Sequence, residues 1–123
     1  MNQILVIDDE KSILNIVQQV LSKYGYRVEI ASDGKEGIQK FNDGFFDLVI
    51  TDILMPGIDG NGVVQHIRNS DRQYTPIIGF SGTPWLLKDS EFDIVFTKPF
   101  PLKDLVDAVQ DLSSKPSKAI AHP

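Results

Sequence analysis

Four places in this chain carry groups that can do chemistry together: Asp8-Asp9, Asp52, Ser81 and Lys98. Each follows an apolar run. Ile4-Leu5-Val6-Ile7 precedes the acid pair, Leu48-Val49-Ile50 leads to Asp52, Pro76 to Phe80 leads to Ser81, and Asp93 to Thr97 leads to Lys98. Three carboxylates, a hydroxyl and an ammonium form a hard-oxygen set without His or Cys, which favours Mg²⁺ or Mn²⁺ over zinc. Clustered carboxylates repel one another, so a divalent cation and a nearby Lys are their electrostatic complement. A carboxylate in such a site can act as nucleophile and become an acyl phosphate. The cation and the Lys would neutralise phosphoryl oxygens, and a hydroxyl would hydrogen-bond one of them.

For these groups to meet, the apolar runs must be neighbouring strands. Short continuous apolar runs read as strands buried on both faces. The spacing predicts strands at 4–7, 27–31, 45–51, 76–80 and 93–97. Between them lie helical stripes. Ile13, Val17, Val20, Leu21 and Tyr24 form the first, with Gly25 placed to end it. Ile38 and Phe41 face inward from a helix over 34–41. Val63, Val64 and Ile67 do so from 62–69. Leu102, Leu105, Val106, Val109 and Leu112 do so from a closing helix over 101–112. Met55-Pro56-Gly57 and Asp59-Gly60 read as loop and turn. The alternation predicts an α/β domain, a (βα)5 doubly wound parallel five-stranded sheet, in which ligands bind beyond the carboxyl ends of the strands.

The chain has 123 residues, which fits one domain, expected over 1–112, with 113–123 as a tail or linker stump. The net charge of −5 argues against broad binding to nucleic acid or anionic membrane. No apolar run is long enough to span a bilayer, and the N-terminus lacks a signal layout. The absence of cysteine excludes disulfides, thiolate zinc sites and a Cys nucleophile. His66 and His122 have no partner at ligand spacing and read as solvated.

The residues at the strand ends, in this order, resemble the receiver domain of two-component response regulators, similar to the single-domain chemotaxis regulators. The carriers are Ile4 to Glu10, Asp47 to Asp52 followed by Met55-Pro56-Gly57 and Asp59-Gly60, then Ser81-Gly82, then Lys98-Pro99-Phe100. The resemblance covers about Gln3 to Leu112. It implies a flavodoxin-like receiver fold with Asp52 as phosphoacceptor. It also implies that Asp9 and Asp52 ligate Mg²⁺ directly, Asp8 through water, and Leu54 by its backbone carbonyl. Ser81 and Lys98 would contact the phosphoryl group, as would the backbone N–H of Gly82, and the Lys98–Pro99 bond would be cis. The partners implied are a sensor histidine kinase or phosphotransfer protein in the cytoplasm and an output partner the sequence does not name. No direct contact with nucleic acid or membrane is expected.

Two departures from the family stand out. Ser81 and Lys98 are 98 − 81 = 17 positions apart, short by a helical turn or more, so the family's fourth helix is cut down. The family's switch aromatic falls on Val95, with Phe96 on the opposite face of the strand. A β-branched residue turns poorly, so the switch is expected in Ser81 to Ser90, with Trp85 either capping the core or exposed to a partner.

Singly, each residue has a plainer reading. Asp8 and Asp9 would cap a helix, Asp52 would begin a turn, and Lys98 would be solvated. Their common placement at strand ends favours one shared site. Of the alternatives, a Mg²⁺-dependent phosphatase calls for Asp-x-Asp, which Asp8-Asp9-Glu10 does not supply, and for a cap domain. A nucleotide site lacks its Gly-rich loop. A docking-only receiver is at odds with the complete set of site side chains. The chain is therefore read as assisting only its own phosphotransfer and dephosphorylation, with no separate substrate.

Overall fold

The computed structural model describes residues 2–82 and 91–114. Five strands, β1 (Gln3–Ile7), β2 (Arg27–Ala31), β3 (Leu48–Asp52), β4 (Ile77–Ser81) and β5 (Ile94–Thr97), form one parallel sheet in the order β2-β1-β3-β4-β5. Helices α1 (Lys11–Lys23), α2 (Gly34–Asp43), α3 (Gly60–Arg68) and α4 (Leu102–Ser114) are the four among the described residues. The segment 83–90, where the cut-down fourth helix and Trp85 were expected, lies outside the described residues. No described helix is long and apolar enough to cross a membrane.

The two-residue period of the strands divides the core. Ile4, Val6, Leu48, Ile50, Ile78 and Phe80 pack with Leu14, Val17 and Leu21 of α1 and Leu105, Val106 and Val109 of α4. Leu5, Ile7, Val49 and Ile77 point the other way, onto Phe41 of α2 and Val63, Val64 and Ile67 of α3. With both faces covered, a strand must be apolar throughout, which is why the continuous runs were readable.

Several boundaries differ from expectation. The first helix buries Leu14, Val17 and Leu21, whereas Tyr24 is 57% exposed at its C-cap. Gly25 follows with φ 91°, the left-handed position that ends the helix. Strand β3 begins at Leu48, and Phe45 before it is 82% exposed. Helix α3 begins at Gly60 because Asp59 caps it, its carboxylate accepting from Gly62 N at 2.9 Å. Helix α4 runs to Ser114, past the expected end at Leu112. Ser113 Oγ donates to Val109 O at 2.6 Å and lies 3.1 Å from the Tyr26 hydroxyl, which ties the last turn to the chain entering β2. His66 is not merely solvated, since it bonds Asn42 Oδ1 at 2.7 Å and meets Phe41 edge-on.

The approach to β5 is held by α3. The Arg68 guanidinium donates to the carbonyls of Gln73, Thr75 and Glu91 and to Asp93 Oδ2. Asp93 Oδ2 in turn accepts from Ile77 N at 2.7 Å. Beside this, Phe92 lies over Gly79, where a Cβ would come within 2.8 Å of its ring. The Arg68 side chain is 16% exposed and satisfies four separate acceptors, so truncation would remove a half-buried ion pair and the charged hydrogen bonds that hold the approach to β5. Arg68→Ala is expected to cost about 3 kcal/mol in urea unfolding. Lys103→Ala, which removes an exposed pair with Asp107, is expected to cost under about 0.5 kcal/mol. Equal effects would show that the Arg68 network contributes nothing special.

Candidate functional site

The sheet order makes the site. Because β1 lies between β2 and β3, chain leaving β1 and β3 turns away on opposite faces, and a crevice opens at their carboxyl ends. Ile7 is level with Thr51, so Asp8 emerges beside Asp52. Asp52 is level with Phe80 and Ser81 with Thr97, so the hydroxyl and Lys98 emerge on the next two strands. Lys98 N donates to Ser81 O at 3.0 Å, and the Lys98–Pro99 peptide is cis. Phe100 beyond it stacks on Phe80 and Phe96, with centroids 4.6 and 5.3 Å away.

One carboxylate oxygen from each of Asp8, Asp9 and Asp52 lies within 4.8 Å of the others. Asp8 and Asp52 are buried and Asp9 is exposed. Lys98 Nζ stands 3.2 Å from Asp52 Oδ1, 3.6 Å from Asp8 Oδ2 and 3.7 Å from Glu10 Oε1. Asp52 Oδ1 also accepts from Ile53 N at 3.0 Å. Asp8 Oδ1 accepts from Glu10 N at 2.9 Å, but the buried Asp8 Oδ2 has no hydrogen bond. Its distance to Lys98 makes an ion pair without a hydrogen bond.

These surroundings act on the charges. Burial raises the Asp8 carboxyl to about 6; the Glu10 N–H and Lys98 oppose the rise, and Asp52 adds to it. Burial also pushes Asp52 up, against the pull of Lys98 and the Ile53 N–H. For Lys98, burial works to lower the pKa, but Asp8, Asp52 and Glu10 outweigh it and leave the ammonium above its ordinary value. A buried carboxylate oxygen with no donor, in a cluster of three acids, fits a hard divalent cation.

The loop after β3 is fixed by close packing. A Cβ on Gly60 would come within 2.5 Å of Asp52 O, and one on Gly34 within 2.2 Å of Ile58 O. Gly60 N donates to Ile53 O at 2.9 Å. The segment bearing Leu54 is thus clamped between β3 and the starts of α2 and α3, with the Leu54 side chain outward. Gly82 is exposed and has open space at its Cα. Every residue expected at the site therefore lies at this sheet edge. The sequence motif alone assigns Glu10 no role, and the structure brings it to Lys98. A Glu in a position that favours short caps was the available signal.

An open parallel sheet with an acid cluster, a buried hydroxyl and a Lys at its carboxyl edge defines a phosphoacceptor signalling domain. The model of the response regulator receiver domain family matches residues 4–110, and the chain belongs to that family. It is thus a receiver domain of two-component signalling. Among solved structures, it is similar to the response regulator TrrA of Thermotoga maritima in complex with Mg²⁺–BeF. That likeness has a TM-score of 0.83 and 35% identity, covering 91% of this chain and 99% of that one. The chemotaxis protein CheY4 of Vibrio cholerae matches with a TM-score of 0.80 and 29% identity, covering 91% of this chain and 98% of that one. Among curated proteins, the uncharacterized transcriptional regulatory protein YrkP of Bacillus subtilis is 39% identical over 108 residues, covering 84% of this chain and 46% of that protein. The transcriptional regulatory protein TrcR of Mycobacterium tuberculosis is 33% identical over 120 residues, covering 94% of this chain and 46% of that protein. The chain spans about half the length of these curated relatives.

Proposed function

We propose that Asp52 accepts the phosphoryl group from a phosphohistidine on a sensor histidine kinase or phosphotransfer protein. An Asp52 carboxylate oxygen forms the new O–P bond, the N–P bond breaks, and the imidazole leaves with the electron pair. The observation that carries this is the Asp52 carboxylate 3.2 Å from Lys98, inside a cluster whose Asp8 Oδ2 is buried without a donor. Asp9, Asp52 and the Leu54 carbonyl would hold Mg²⁺ directly and Asp8 through water; Mn²⁺ suits the same donors. The cation, when bound, offsets negative charge on the phosphoryl oxygens. Lys98 pairs with one of those oxygens, and the Ser81 hydroxyl and Gly82 N–H donate to others.

The domain assists its own phosphorylation and dephosphorylation and has no separate substrate. We place it in the cytoplasm, where a kinase charges its His from ATP. Residues beyond α4 would serve as a tail or linker. Its net charge of −5 suits protein partners rather than nucleic acid. Where relatives are transcriptional regulators, contact with DNA would belong to the part of those proteins that this chain does not match. The test is intact-mass measurement with a small phosphodonor. With Mg²⁺ the protein should gain one phosphoryl group, and with chelator none. Labelling indifferent to chelator would remove the cation from the reaction, and no labelling under any condition would overturn the reading.

A further inference from the structure

Glu10 stands at the N-cap of α1, yet its side chain makes no cap hydrogen bond. Its backbone N–H serves Asp8 instead, and its carboxylate, 60% exposed, reaches Lys98 at 3.7 Å. Lys98 is thereby shared among three carboxylates, two buried and one facing solvent. The buried two belong to the acid cluster that suits a cation, and Glu10 does not. A cation approaching Asp8 and Asp52 competes with the ammonium already there. The ammonium yields more readily if another anion on the solvent side can take it.

We propose that Glu10 is a positioning residue that draws Lys98 outward and so keeps the Asp8 and Asp52 oxygens open to a divalent cation. This rests on the site being the cation-dependent phosphoacceptor described above. Removing the Glu10 charge lets Lys98 settle on the buried pair, where it opposes cation binding. Shortening the side chain should do the same, although charge is kept. An Asp at this position is also a good N-cap and would turn to its own helix.

The experiment is calorimetric titration of the folded chain with Mg²⁺ at neutral pH. Glu10→Gln and Glu10→Asp should each weaken binding roughly three- to fivefold, the upper part of the range expected for an exposed ion pair. With Lys98→Met in the background, Glu10→Gln should change affinity by less than about 1.5-fold, because its effect passes through the ammonium. Equal weakening in both backgrounds, or Glu10→Asp matching the wild type, would mean that Glu10 acts only as a remote charge, and the proposal falls. Wild-type binding with Glu10→Gln unchanged overturns this inference alone. Absence of wild-type binding overturns the cation site and this inference with it.

Discussion

Asp52→Asn is expected to leave no phosphorylated species after incubation with a small phosphodonor and Mg²⁺, a loss of at least about a hundredfold in labelling rate, since losing a nucleophile costs enzymes far more. The carboxamide keeps the size of the carboxylate and can still accept from Ile53 N, the bond made now at 3.0 Å. It has no anionic oxygen to attack phosphorus. Misfolding would not explain the loss. Burial pushes the Asp52 pKa up, so the charge is held at a cost that a neutral Asn avoids. The variant should melt no lower than the wild type in chelator, and circular dichroism checks this. Nor is Asp8 a ready substitute, for it is fully buried with one oxygen engaged by Glu10 N. Labelling of Asp52→Asn at the wild-type rate would assign the phosphoryl group to another side chain.

Much of this site was legible because the fold makes strand ends visible. A strand covered on both faces is apolar until it leaves the sheet, so the first acid after Ile7 and after Thr51 marks the crevice. Helix stripes were read less well. Leu14 is in the core and Tyr24 is not, because a broad apolar pattern on α1 fits more than one rotation of the helix. Phe45 is apolar yet exposed, since hydrophobicity alone does not say where pairing begins. Gly60 read as a turn residue ahead of a helix starting at Gly62, but it lies in α3, where Asp52 O leaves no room for a Cβ. The link from Glu10 to Lys98 joins residues far apart in sequence, and only the turn out of β1 brings them together. The switch expected within Ser81 to Ser90, with Trp85, lies almost entirely outside the described residues. Val95 does alternate with its neighbours as expected: Ile94 and Phe96 pack on the α1 and α4 side, opposite to it.

Asp8 also gives the protein an uncommon stability profile. Its carboxyl is raised from 3.8 to about 6, so the folded state holds this proton more tightly than the unfolded chain. The sign follows from linkage: a group that binds more protons when folded makes stability fall as pH rises. Nothing is lost below pH 3.8, the loss grows between the two values, and it is complete above about pH 6. A shift of this size amounts to about 3 kcal/mol at pH 7. Asp52 is shifted in the same direction and adds to the trend. Lys98, raised from 10.5, contributes stability that is lost only as pH rises through the alkaline range, outside this window. In chelator, urea unfolding should therefore show the wild type losing stability between pH 4 and 6.5 relative to Asp8→Asn. At pH 7.5 Asp8→Asn should be the more stable, by up to about the linkage figure, which already includes the favourable pairing of the Asp8 carboxylate with Lys98. Saturating Mg²⁺ should narrow or reverse the gap at pH 7.5, since binding stabilises the folded state by mass action and the wild type, which keeps the Asp8 carboxylate, binds the cation more tightly than the variant. Parallel pH profiles for the two proteins in chelator would show that Asp8 carries no buried charge cost. An unchanged gap on adding Mg²⁺ would show that its orphan oxygen is not there to meet a cation.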